Sequence, residues 1–191
     1  MTPAHGAVVL AAGASTRLGR AKQLVEIEGE PLLRRVTRYV LATRPIECVV
    51  VLGHDAARMA AALEGIEARM LRIGDPDAGM SASLRTGVAA LDVRCDGALI
   101  VLTDQPGLTA EHLGALCAAW RATPQLAAAS AYAGVIGVPA LLPRAWFGEI
   151  GRLRGDTGAR ELLRARGAEV VVVAAPELAR DLDTPGDIAI F

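Results

Sequence analysis

The chain has 191 residues, of which 52% are apolar, 21% charged and only 3% aromatic. That length carries one substantial hydrophobic core and predicts a single domain over residues 1–191. Twenty basic against 21 acidic residues leave a net charge of -1, so no overall field recruits polyanions, and so few rings exclude a base-stacking surface for nucleic acid.

Along the chain, short β-branched runs alternate with longer stretches of helical period. The first run, over 7–11, predicts a strand. It has no basic segment ahead of it and is shorter than a signal-peptide core, and no apolar run in the sequence reaches the roughly 20 residues needed to span a bilayer. Cys48, Cys95 and Cys117 are odd in number and far apart, as expected of small core residues in a reducing compartment rather than of disulfides or a zinc site. A cytoplasmic protein without membrane contact is therefore expected. Pro31 opens a helix whose Leu32, Leu33, Val36 and Val40 share one face while Arg34, Arg35 and Arg38 share the other. Strands follow over 48–52 and 68–73. The stretch from Gly74 to Arg85 turns into a helix with Ser81 as the expected cap. A strand over 98–103 leads to a helix capped by Thr109, with Glu111 in its first turn and Leu113, Leu116, Cys117 and Trp120 as its apolar stripe. Strands over 127–132 and 170–174 flank a segment, 135–143, that reads as an antiparallel insertion. Asp156 or Thr157 is placed as the cap of the helix carrying Leu162 and Leu163, and a last helix is placed at Thr184-Pro185. Runs apolar at successive positions are buried on both faces, so the sheet is mostly parallel with helical crossovers on either side. The fold class is α/β, a three-layer α/β/α sandwich.

Candidate chemistry gathers where these strands end, because ligands of open parallel sheets bind at the carboxyl edge. Small residues through Leu10-Ala11-Ala12-Gly13-Ala14-Ser15 let backbone N–H groups approach a phosphate chain, and Arg17 and Lys22 add fixed positive charge. The spacing Gly13 to Gly19 matches neither a Walker loop nor the dinucleotide G-x-G-x-x-G fingerprint. Composition alone leaves an ordinary strand-to-helix turn as the alternative. In Thr103-Asp104-Gln105-Pro106 a strand runs straight into an acid, placed to bind a hard cation on phosphate oxygens or to cap a turn. Asp181 and Asp183, alternating ahead of Thr184-Pro185, offer a second carboxylate or a helix cap. His5, His54 and His112 share no ligand or triad spacing and receive no role.

Leu10-Ala11-Ala12-Gly13 with Ser15, Arg17, Gly19 and Lys22, the stretch from Gly79 to Gly87, Thr103-Asp104-Gln105-Pro106 and Asp183-Thr184-Pro185 together resemble the MobA-like nucleotidyltransferase family. Within it they are most similar to the molybdenum cofactor cytidylyltransferase branch. The resemblance covers nearly the whole chain and implies a Rossmann-like sheet of the nucleotide-diphospho-sugar transferase type. It implies a magnesium-dependent transfer in which an acceptor phosphate attacks the α-phosphorus in line and pyrophosphate leaves. The family's nucleotide loop falls on Leu10, Ala11, Ala12 and Gly13, its phosphate-binding and catalytic cations on Arg17 and Lys22, and its base-proximal positions on Ser83 and Gly79. Its magnesium ligands fall on Asp104, which is also nucleotide-binding and catalytic, and on Asp183, with Asp181 the alternative. Gly155 and Asp156, in Arg154-Gly155-Asp156-Thr157-Gly158-Ala159-Arg160, match the acceptor region.

Guanylyl-transferring members tend to carry Leu-Ala-Gly-Gly, so Ala12 favours CTP over GTP. Close cytidylyltransferases often have Gly-His-Pro where this chain has Gly137-Val138-Pro139, a difference in the acceptor region. The partners implied are CTP, molybdopterin as phosphorylated acceptor, and a molybdoenzyme to dock with. Competing readings are a guanylyltransferase of the same cofactor, a sugar-phosphate nucleotidyltransferase, a Rossmann-type oxidoreductase, whose fingerprint is absent, and a non-catalytic nucleotide-binding regulator. The joint presence of Arg17, Lys22, Asp104 and Asp183 argues against the last.

Overall fold

The computed structural model of the chain describes residues 2–13, 21–75 and 79–180. Strand β1 (His5–Ala11) is buried at every position, as its unbroken run requires. A small antiparallel ribbon that the sequence did not suggest, β2 (Glu26–Ile27) and β3 (Glu30–Pro31), turns at Glu28 and Gly29, both at positive φ. It delivers α1 (Leu32–Ala42), which buries Leu32, Leu33, Val36 and Val40. Then come β4 (Cys48–Leu52), α2 (Ala56–Ala62), β5 (Arg69–Arg72), α3 (Met80–Ala89), β6 (Gly97–Leu102) and α4 (Ala110–Ala122), where Thr109 accepts the His112 N–H as expected. The chain continues through β7 (Ala127–Tyr132), β8 (Val135–Pro143), α5 (Phe147–Ile150), α6 (Ala159–Ala165) and β9 (Val170–Ala174). The helix expected at Thr184-Pro185 lies outside the described residues.

The main sheet runs β5-β4-β1-β6-β8-β7-β9, with β8 antiparallel to both of its neighbours and every other pairing parallel. Segment 135–143 is thus the antiparallel insertion expected of it. Because side chains alternate across a strand, β1 feeds two cores. Ala7, Val9 and Ala11 pack with α1 and α4, while Val8, Leu10 and Ala12 pack on the opposite face with α3, α5 and α6. The result is a three-layer α/β/α sandwich around a mostly parallel sheet. No helix of the described residues is long and apolar enough to cross a membrane. His5 and His112 are buried against hydroxyls, His5 Nε2 at 2.9 Å from Thr43 Oγ1 and His112 Nε2 at 2.8 Å from Ser130 Oγ. Burial pushes His5 down to about 4 and lowers His112 as well, so both stay neutral as core fastenings.

Helix α3 lies close on the sheet because Gly87 has no side chain: a Cβ there would stand 2.3 Å from Val8 Cγ1 and 3.0 Å from Val51 Cγ2. Gly→Ala in a helix ordinarily stabilises by roughly 0.5–1 kcal/mol, while overfilling a packed core costs about 1–3 kcal/mol. Val8 and Val51 are fully buried and stiff at χ1, so the clash dominates. Gly87→Ala is expected to lower unfolding free energy in urea by about 1–2 kcal/mol. The opposite sign is expected for Gly114→Ala, whose Cβ meets nothing within 4 Å; equal signs for the two would discount the packing argument.

Candidate active site

Strands β1 and β6 pair in parallel with Leu10 opposite Leu102, so both backbones leave the sheet side by side at its carboxyl edge. The Thr103 hydroxyl donates to the Leu10 carbonyl at 3.2 Å and fastens the two exits together. Beyond them stand Gly13 on one side and Asp104 on the other. Lys22 Nζ reaches Asp104 Oδ2 at 2.8 Å, an ion pair between residues 82 apart in the chain. Next to it Gln23, only 1% exposed, donates Nε2 to the carbonyls of Ala11 at 3.3 Å and Gly13 at 3.1 Å, pinning the end of the small-residue run. Ala12 is held from behind, since a Cβ on Gly53 would stand 2.5 Å from its carbonyl oxygen.

The opposite wall is the start of α3. Gly79 occupies its N-cap position at φ 84, where a Cβ would be strained and would also meet Gly155 O at 2.5 Å and Asp156 Oδ1 at 2.9 Å. Ser81 is therefore not the cap. It lies inside the first turn, its N–H donating to Gly155 O at 3.1 Å. Likewise neither Asp156 nor Thr157 caps α6: Gly158 holds that position, and the Glu161 carboxylate accepts its N–H at 2.8 Å. Asp156 is left to face α3, whose positive end favours a carboxylate.

These walls enclose a cleft of about 370 Å³. Of the residues singled out from the sequence, Leu10, Ala12, Gly13 and Lys22 line it from one side, Gly79 and Ser83 from the other, and Asp104 and Asp156 close it. Ala11 is fully buried and contributes only the carbonyl that Gln23 holds, while Gly155 backs Gly79 and does not line the cleft. Arg17, Asp181 and Asp183 lie outside the described residues. Asp104 Oδ1 is buried and has no hydrogen-bond partner among the described residues. Such an oxygen suits a hard divalent cation, which takes one or two carboxylates and completes its shell with phosphate oxygens and water. Among the described residues no group of three or more His, Cys, Asp or Glu side chains is placed to hold a metal ion. Sequence reasoning passed over Gln23 and Gln105, both 1% exposed. Their signal was available: an amide placed directly after a charged residue at the edge of an apolar segment.

A model of the MobA-like NTP transferase domain matches residues 7–180. Purine catabolism protein PucB of Bacillus subtilis is 32% identical, covering 93% of this chain and 91% of that protein. Nicotine blue oxidoreductase of Paenarthrobacter nicotinovorans is also 32% identical, over 86% of this chain and 83% of its own. A probable molybdenum cofactor guanylyltransferase of Natronomonas pharaonis is 36% identical over 56% of this chain and 52% of its own. Among solved structures, Rv0371c of Mycobacterium tuberculosis H37Rv superposes with a TM-score of 0.86 at 29% identity, covering 100% of this chain and 98% of that one. Its complex with manganese gives 0.81 at 27% identity, over 98% and 97% of the two chains. A nucleotidyl transferase of Methanothermobacter thermautotroptrophicus shares the fold, with a TM-score of 0.83 at 24% identity over 98% and 95%.

The two carbonyls held by Gln23 give that side chain a measurable weight. Gln23→Leu strands both acceptors at the rim of the cleft and is expected to cost roughly 1–3 kcal/mol in urea unfolding. A variant as stable as the parent protein would show that the Ala11 and Gly13 carbonyls do not depend on it.

Proposed function

The chain belongs to the MobA-like NTP transferase family, and from that membership we propose that it transfers a cytidylyl group from CTP to the phosphate of molybdopterin, releasing pyrophosphate, with magnesium held at Asp104. By its family it is a nucleotidyltransferase of the MobA-like type. The observation that carries nucleotidyl transfer with a metal is the Lys22–Asp104 pair beside Gly13, with the second Asp104 oxygen buried and without a hydrogen-bond partner among the described residues. A nucleotidyl transfer needs a fixed cation on the phosphate chain and a carboxylate for the metal within one cleft, and these residues supply both.

In this reading the backbone of the Leu10 to Gly13 run and the Lys22 ammonium bind the triphosphate, with Arg17 as a further cation. Ser83 and Gly79 take the nucleoside. Asp104, and Asp183 with it, would hold the ion; when bound it offsets charge on the phosphate oxygens and the departing pyrophosphate. The manganese complex of Rv0371c supports a divalent cation here. An acceptor phosphate oxygen bonds to the α-phosphorus as the bond from that atom to the bridging oxygen breaks, and pyrophosphate keeps the electron pair. Asp156 borders the acceptor, with Gly155 supporting it from behind Gly79. Ala12 is the argument for CTP: its backbone is blocked by Gly53, so the loop cannot retreat to make room for a purine. The relative named as a guanylyltransferase supports the molybdenum cofactor as acceptor while pointing to GTP. A molybdoenzyme is the proposed recipient of the product, and the cytoplasm the proposed site of action.

A second reading draws on the relative named as an oxidoreductase and places a nicotinamide dinucleotide in the same cleft. Pyrophosphate release against NADPH oxidation, each measured with the intact protein, separates the two.

With magnesium present, CTP is expected to raise the melting temperature more than GTP does; ligand at about 100 times its Kd adds roughly 2.7 kcal/mol. A larger shift with GTP would reverse the base assignment. Removing the cation in Lys22→Ala is expected to lower turnover by roughly 10²- to 10³-fold with the fold retained, as checked by pyrophosphate release and circular dichroism. Full activity in that variant would refute a phosphate role for Lys22.

A further inference from the structure

Gln105 follows Asp104 directly, and the orientation of its amide is decided by its neighbours. Nε2 donates to the Val138 carbonyl at 3.2 Å, and the same carbonyl accepts the Tyr132 hydroxyl at 2.9 Å. Turning the amide over would set oxygen against oxygen, so Oε1 is committed to the other side. There it is buried and has no donor among the described residues. Leaving a buried acceptor unmet costs more than an ordinary hydrogen bond returns, and such atoms in native proteins mark places where something outside the chain completes the pairing.

Gln105 forms part of the wall of a second chamber, of about 240 Å³, that adjoins the nucleotide cleft. Leu10, Met80, Leu102, Asp104 and Asp156 border both, so Asp104 stands at the junction. Away from the junction its buried inner wall is Ile100 and Val138 with the ring of Tyr132, while the exposed Arg160 and Glu161 stand at its rim. A polyol set against that inner wall would leave hydroxyls on aliphatic carbon, out of reach of the charged rim, which is costly for each. A flat ring system loses little by entering and needs a single polar match.

We infer that this chamber is the acceptor subsite and that Gln105 is a specificity-determining residue, its Oε1 accepting an N–H from a flat, neutral heterocycle that carries the acceptor phosphate. This rests on the nucleotidyl-transfer reading above and adds to it the part of the acceptor that is recognised. Val138 sharpens the selection, since an apolar side chain there removes a competing donor and leaves Gln105 to make the polar contact.

The test is a fluorescence titration of the full chain with 6-hydroxymethylpterin, a bicyclic lactam, and with 2-naphthalenemethanol, a flat bicycle without ring N–H groups. The parent protein is expected to bind the pterin about tenfold more tightly, and Gln105→Met, which keeps the side-chain length and leaves Val138 O bonded to Tyr132, to bring the ratio near one. A pterin preference that survives in folded Gln105→Met overturns the assignment. The parent protein tests it independently of any variant: glucose 1-phosphate displacing the pterin as effectively as unlabelled pterin does also overturns it. Thermal shifts with CTP and GTP on the same samples keep the two levels apart. Loss of both shifts with the pterin preference intact defeats the transfer reading, whereas normal shifts without a pterin preference defeat the chamber assignment.

Discussion

The parallel pairing of β1 with β6 is the constraint on which the rest of this molecule depends. Leu10 lies opposite Leu102, so the Gly13 loop and Asp104 emerge at one height on one edge of the sheet. A register shift of one residue would exchange the β6 side chains facing the two cores and set residues of the wrong size against tightly packed neighbours such as Trp120, and packing on both sides makes that shift costly. The hydrophobic cores thus enforce, through the strands, a spacing of polar groups that no local interaction could hold. The Thr103 hydroxyl bond and the Lys22–Asp104 pair are consequences of that register.

The scarcity of aromatic residues has a structural counterpart. The layers approach closely at points where only small residues fit: Gly87 against Val8 and Gly97 against Trp120. Close approach leaves the backbone of β1 and the start of α3 near enough to form opposite walls of one cleft. Gly79 makes the point most sharply, because positive φ and the Gly155 carbonyl both exclude a side chain there. The docked Gly155-Asp156 turn is in this way part of the architecture of the cleft as well as its border.

Relatives of comparable identity carry names from purine catabolism, oxidation chemistry and molybdenum cofactor guanylylation. A fold that fixes a small-residue loop and an acid at adjacent strand ends can keep that half of its site while the neighbouring chamber changes. In this chain the chamber wall is drawn from β6, β7, β8 and the start of α6, which include the antiparallel insertion. Val138 sits on that insertion.

Much of the layer plan was legible in the sequence because it follows from burial alone. Unbroken apolar runs at 7–11 and 48–52 require cover on both faces, the stripe from Leu113 to Trp120 requires a helix, and Thr109 caps it through a bond three residues long. The glycine-containing loop and Asp104 could be picked out because strand ends of a parallel sheet are where ligands sit. The helix caps at Gly79 and Gly158 could not, since what selects glycine at 79 is a carbonyl 76 residues away and what serves Gly158 is the Glu161 carboxylate. Nor could the orientation of the Gln105 amide, which is set by a carbonyl 33 residues on. Periodicity and local hydrogen bonding act within a few residues and are written in the sequence. The meeting of Lys22 with Asp104 and of Gln105 with Val138 depends on strand order and register, which only the packed sheet decides.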